Sequence, residues 1–138
     1  MKPLEGITVM EFSTMITASF AAMMMAEQGA RVIKVEPLGA GDPMRYIGAN
    51  KGGIASLFAN CNRGKRSIRV NIKEESGQAL IRDMVSEVDV FIHNFRPGVM
   101  DKLNLGAETL RAINPRLIYT AISGFGREGP LGSAPAYD

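Results

Sequence analysis

Two short apolar runs, "ITVMEF" and "ARVIKVE", flank a stretch from about Ile16 to Gln28 in which apolar residues follow one another at helical spacing, and Gly29 stands where a helix would stop. This spacing predicts a β-α-β unit. The helix carries Phe20, Met23, Met24 and Met25 among alanines. It is apolar nearly all round and is therefore expected to be buried, with the methionines as plain core packing. After Glu36 the segment "PLGAGDPMRYIGANKGG" has neither period, and its glycines and prolines predict a long exposed excursion. "SIRVNI" then alternates, Ile68, Val70 and Ile72 inward against Arg69 and Asn71 outward. It leads into a helix expected to carry Leu80, Met84 and Val88 on one stripe, with Glu74 and Glu75 at its positive end. "DVFIHNF" predicts a further strand, "GAETLRAIN" a short helix stopped before Pro115, and "LIYTAIS" the last strand.

Alternating strands and helices predict an α/β fold: an open, mostly parallel, Rossmann-like sheet with helices on both faces. Composition fits one packed domain over residues 1–138, since 46% of the residues are apolar and only 22% charged. A net charge of +2 is too mild to predict a nucleic-acid or membrane surface. The single Cys61 excludes an internal disulfide and every multi-cysteine metal pattern. The one histidine, His93, has no second ligand of its type, so no metal is expected. A reducing, cytoplasmic setting fits best. The opening "MKPLEGITVMEF" lacks the features of a signal peptide, and the nearly apolar run from Ala18 to Ala26 is well short of the roughly 20 residues that cross a bilayer.

In open α/β sheets ligands bind beyond the carboxyl ends of the strands, which directs attention to the loops beginning at Ser13, Pro37, Asn94 and Ser123. The first, "FSTMITAS", has no glycine, so the close backbone approach to a pyrophosphate required by the dinucleotide fingerprint is missing. Gly124, Gly126 and Gly129 do read G-x-G-x-x-G, but Pro130 and Pro135 follow and no helix opens. Nicotinamide binding is not expected. That turn is either a plain loop or a source of backbone N–H groups for an anion. Arg63, Lys65 and Arg66 read as solvated charge. Lys73, and Arg96 with Lys102, follow strand ends where a polyphosphate would lie. His93 reads as a hydrogen-bonded core histidine. Cys61 has cationic neighbours but no base and is not proposed as a nucleophile, and Ser123-Gly124 lacks the G-x-S-x-G elbow.

Taken together and in order, "PLEGITVMEFS", "GARVIKVEPLGAGDPMR", "NRGKRSIRVNIK", "DVFIHNFRPGVMDKL", "NPRLIYTAISGFG" and "PAYD" resemble the type III CoA-transferases. That group includes formyl-CoA and carnitine-CoA transferases and the α-methylacyl-CoA racemases. The resemblance covers essentially the whole chain. It implies a CoA-binding N-terminal half, with coenzyme A or acyl-CoA as substrate lying across the strand ends. The implied contacts fall on Ile16 and Thr17, on Val70, Asn71, Ile72 and Lys73, on Asn94, Phe95 and Arg96, and on Lys102. Phe95 would face the adenine and Lys102 a phosphate. Pro135 and Ala136, with Tyr137 and Asp138 as an active-site wall, would line the thioester end. The chain departs from the family where Ala18-Ser19 replaces a common Gly-Pro, at Pro37, and where His93 replaces a usual Glu. The racemases carry a catalytic histidine at the place of Tyr137, which favours the transferase branch.

The resemblance implies that the full-length protein moves CoA between an acyl-CoA and a carboxylic acid through an aspartyl mixed anhydride. The family's nucleophilic aspartate lies in a Gly-Asp segment beyond the Tyr-Asp pair. No catalytic residue is therefore expected in this chain, which reads as truncated before the catalytic segment and inactive alone, and as a homo-oligomer or a partner of the missing C-terminal portion. A non-catalytic nucleotide-binding or assembly module and an acyl-CoA racemase relative are the alternative readings.

Overall fold

The computed structural model describes residues 1–132 and 134–136. Strand β1 (Thr8–Phe12) leads to α1 (Thr17–Glu27) and β2 (Arg31–Glu36). A short excursion pairs β3 (Asn50–Lys51) with β4 (Ile54–Ala55), and α2 (Ser56–Cys61) returns the chain to β5 (Arg66–Arg69). Then follow α3 (Glu75–Val85), β6 (Val90–His93), α4 (Val99–Lys102), α5 (Ala107–Ile113) and β7 (Ile118–Ala121).

Five strands form one sheet in the order β5-β2-β1-β6-β7, and every neighbouring pair is parallel. The expected α/β architecture is the observed one. Central strands of such a sheet are covered on both faces, which is why they are apolar without strict alternation. Met10, Phe12 and Phe91 point into one core with Ile81, Leu105 and Leu110, whereas Val9, Val32 and Ile92 point into the other with Ala18 and Ala22. On the first face Phe12, Phe91 and Tyr119 stack across three adjacent strands, with ring centroids 4.9 and 5.1 Å apart.

Three expectations about burial are corrected. In α1 it is Ala18, Ala22 and Met23 that face inward, while Phe20 and Met24 are 47% and 46% exposed. Ala18 and Ala22 let the helix lie close to the sheet, Met23 and Met25 pack inward as expected, and Phe20 and Met24 turn outward. In α3 the fully buried face is Gly77, Gln78, Ile81 and Val85; of the expected stripe Met84 packs against the same core and Val88 is buried just past the helix, whereas Leu80 is 47% exposed. A Cβ on Gly77 would lie 2.1 Å from the Asn71 carbonyl oxygen, so the glycine marks the face that touches the chain beneath. The segment after Glu36 is not wholly exposed either. Gly41, Asp42 and Met44 are buried around a single 3-10 turn, Pro43–Tyr46, whose first N–H, that of Met44, donates to Asp42 Oδ1 at 2.9 Å. The short helices α2 and α4 lie outside the elements expected from the sequence.

Candidate functional site

Strand order reverses between β1 and β6, the place where an open parallel sheet splays its loops apart. A cavity of about 650 Å³ opens there. Its walls are Thr14 to Thr17 after β1, Asn94 to Pro97 after β6, and Ile122 to Gly126 after β7, closed by Val99, Gly132, Ala134 and Ala136. The size suits a small-molecule ligand.

Asn94 sets the width of this crevice. Its Oδ1 accepts from the Thr14 N–H at 3.1 Å, and its Nδ2 donates to the Thr14 carbonyl at 2.7 Å and to Thr17 Oγ1 at 3.0 Å. Both amide hydrogens are engaged, so the side chain ties one wall to the other. From the opposite side Asp42 Oδ1 faces the Met15 N–H at 3.4 Å. Met15 has φ +63, a left-handed conformation that a non-glycine residue adopts only when its surroundings hold it.

What holds Asp42 is a buried ion cluster beneath the loop. Lys34 Nζ lies 2.8 Å from Glu11 Oε1 and 2.9 Å from Asp42 Oδ2, and Lys65 Nζ lies 2.6 Å from Glu11 Oε2. The Ser13 hydroxyl donates to Glu11 Oε1, and the Ser19 hydroxyl does so at 3.1 Å. Two carboxylates and two ammonium groups balance, as buried charge requires. Burial pushes the Lys65 pKa down, against the pull of Glu11. Lys65 is thus corrected from solvated charge to a core pin, while Arg63 is exposed and pairs with Glu27 at 2.7 Å. Cys61 is buried, and burial raises its thiol pKa despite the cations nearby.

His93 ends β6 as a buried, hydrogen-bonded histidine, its Nδ1 accepting from the Phe95 N–H at 3.2 Å. Burial first, and then the Arg127 charge, push its pKa down to about 4. Burial likewise pushes Tyr119 up to about 12, and its hydroxyl donates to the Leu105 carbonyl at 3.1 Å.

Of the residues singled out from the sequence, Ile16, Thr17, Asn94, Phe95, Arg96 and Ala136 line the cavity, and Pro135 adjoins it in the chain. Val70, Asn71, Ile72, Lys73 and Lys102 do not line it. Val70 is buried in the core and Ile72 packs against that core, whereas Lys73 and Lys102 are exposed. Gln78 joins these two segments, donating to the Ile72 carbonyl at 3.1 Å and accepting from Asn104 Nδ2 at 3.4 Å. They form a second group along the strand-end edge. Tyr137 and Asp138 lie outside the described residues. Among the described residues no cluster of three or more metal-binding side chains occurs.

Reasoning from residue type missed Thr14 and Met15, which shape the wall through backbone. The signal for the third wall was its glycines. A Cβ on Gly124 would lie 2.2 Å from the Ala136 Cβ, and Gly126 has φ +78, so the turn needs both.

Residues 4–138 match the sequence pattern of CoA-transferase family III. The chain belongs to that family. It is 45% identical over 136 residues to the acetyl-CoA:oxalate CoA-transferase of Acetobacter aceti, covering 99% of this chain and 35% of that protein. Over 138 residues it is 39% identical to the succinyl-CoA:glutarate CoA-transferase of Homo sapiens, covering 99% of this chain and 32% of that one. A CAIB/BAIF family protein from Brucella suis superposes with a TM-score of 0.93 at 42% identity, over 99% of this chain and 37% of its own. The family III chain thus spans about a third of the length of these curated relatives.

Proposed function

We propose that this family III chain supplies the CoA-binding part of a CoA-transferase that moves CoA between an acyl-CoA and a carboxylic acid. The observation that carries the reading is the cavity at the strand-order reversal, walled by Asn94, Phe95 and Arg96 in a chain of this family. Phe95 gives an aromatic face for a purine. The exposed Arg96, Lys73 and Lys102 give cations along the same strand-end edge for phosphate groups, with no ion-pair partner among the described residues. Ser123 to Gly126 and Ala136 form the wall toward the thioester.

The chemistry is a covalent relay in which one hard step becomes several easier ones. An aspartate carboxylate attacks the thioester carbonyl and expels CoA thiolate, leaving a mixed anhydride. The thiolate then attacks the aspartyl carbonyl, releases the first carboxylic acid and leaves an aspartyl thioester. The acceptor carboxylate reverses both steps and departs as the new acyl-CoA, restoring the aspartate. Residues 1–138 bind and orient CoA, and the aspartate comes from outside them. A cytoplasmic setting and assembly as an oligomer belong to the same proposal.

Calorimetry with CoA and with NAD tests the reading. CoA is expected to bind the more tightly, and Lys102→Ala is expected to weaken it by up to about 1 kcal/mol, the upper end for a single exposed ion pair. Equal or tighter binding of NAD would reject the reading.

A further inference from the structure

We propose that His93 is a positioning residue for ligand binding: as a neutral ring its Nδ1 holds the Phe95 amide, and through it the aromatic wall of the cavity. The proposal rests on the reading that the cavity takes CoA.

The geometry leaves the ring one working state. Nδ1 accepts the Phe95 N–H at 3.2 Å, so it carries no proton and the hydrogen sits on Nε2. A proton on Nδ1 would set two N–H groups face to face and free the Phe95 amide. The neighbouring Asn94 is locked independently by its bonds to Thr14 and Thr17. On the wall that follows β6, Phe95 is therefore the point that depends on a titratable group.

The surroundings favour the neutral ring. Phe91 and Tyr119 lie edge-on with centroids 6.3 and 5.4 Å away, Phe95 lies 6.4 Å away and nearly parallel, and on β1 the register partner is the apolar Phe12. The titratable groups facing it are Tyr119 on β7, Asp101 on α4 and Arg127 in the glycine turn, the last two ion-paired at 2.7 Å. Arg127 opposes an imidazolium and Asp101 favours one. Burial is the larger opposing influence.

Coupling of this kind is reciprocal. A ligand that packs on Phe95 selects the neutral ring, and so must lower the ring's own pKa. His93 is the single histidine of the chain, so its C2–H proton gives one unambiguous NMR signal.

The experiment is a pH titration of that signal and of the Phe95 amide in the full chain, without ligand and at saturating CoA. Without ligand the ring is expected to titrate near pH 4 together with the amide, and with CoA the ring midpoint is expected to fall further. His93→Asn keeps an acceptor near Nδ1 and is expected to bind CoA within about threefold of wild type, whereas His93→Leu strands the Phe95 N–H and weakens binding on the order of tenfold. A ring midpoint unmoved by CoA, or a folded Leu variant that binds as tightly as wild type, overturns the proposal. If wild type binds no CoA at neutral pH, the CoA reading fails by itself. The ligand-free titration then still decides the positioning role: a shared midpoint for ring and amide supports it, and separate midpoints sink it.

Discussion

Glu36 accepts from the Arg45 guanidinium at 2.8 and 2.6 Å, from the Asp42 N–H at 2.8 Å and from the Ser67 hydroxyl, so one carboxylate gathers a segment that has no periodicity of its own. Gly41 passes so close that a Cβ there would lie 2.6 Å from Glu36 Oε2. Burial, the largest influence, works to raise the Glu36 pKa, but these donors outweigh it and bring it from 4.5 down to about 2. A carboxylate with a depressed folded pKa stabilises the fold fully above its unfolded value, and that contribution is lost as pH falls through the folded one. The expected loss between pH 4.5 and 2 is on the order of 3 kcal/mol. Denaturant titrations across that window should show the slope in wild type and its near absence in Glu36→Gln. An equal slope in both would assign the acid sensitivity elsewhere. His93 works at higher pH: its folded pKa lies below 6.5, so the unfolded chain takes up the proton first and stability falls from pH 6.5 toward 4.

Helix α3 can approach the loop after β5 only because Gly77 has no side chain. Gly77→Ala would gain up to about 1 kcal/mol in helix propensity. Against this, a methyl group set against a backbone carbonyl at 2.1 Å forces the helix off its seat, an overpacking cost of about 1–3 kcal/mol. Net destabilisation is expected in urea unfolding, and under the proposed CoA reading the displaced Asn71 to Lys73 should lower CoA affinity as well. A variant more stable than wild type would show that α3 slides freely. This face also marks the limit of what the sequence disclosed. The parallel strands were legible because burial on both faces leaves apolar runs such as Thr8–Phe12 and Arg31–Glu36. The inward stripe of α3 was not, because a glycine and a glutamine stand on it and an exposed Leu80 stands off it. Likewise the strand-end loops after β1 and β6 were found by topology, but Asn94 as a clamp, Asp42 as a buried anchor and Lys65 as a core pin depend on partners 80, 27 and 54 positions away in the chain, and no local pattern carries such pairings.

At the scale of the molecule the two sheet edges differ. β5 carries exposed Arg66 and Arg69, charges of the kind that discourage another strand from pairing there. β7 reads Ile-Tyr-Thr-Ala without a charge, is half-exposed along its length with Ile118 60% exposed, and pairs only with β6 among the described residues. Its open edge offers a row of unpaired backbone groups. On the same face of the sheet as Ile118, Phe20 and Met24 add exposed apolar surface on α1. Exposed apolar area of this kind, beside an unprotected edge, drives association. The chain studied by itself is therefore expected to self-associate through β7. Sedimentation velocity over a range of concentrations should show species larger than the monomer, and Ile118→Lys, which puts a charge on the uncharged edge, should shift the distribution back toward monomer. Replacing Met24 with Lys separates the two surfaces: if it restores the monomer and Ile118→Lys does not, α1 rather than the sheet edge is the contact. A wild-type chain that stays monomeric at every concentration would mean that the uncharged edge is protected by its own geometry and recruits nothing.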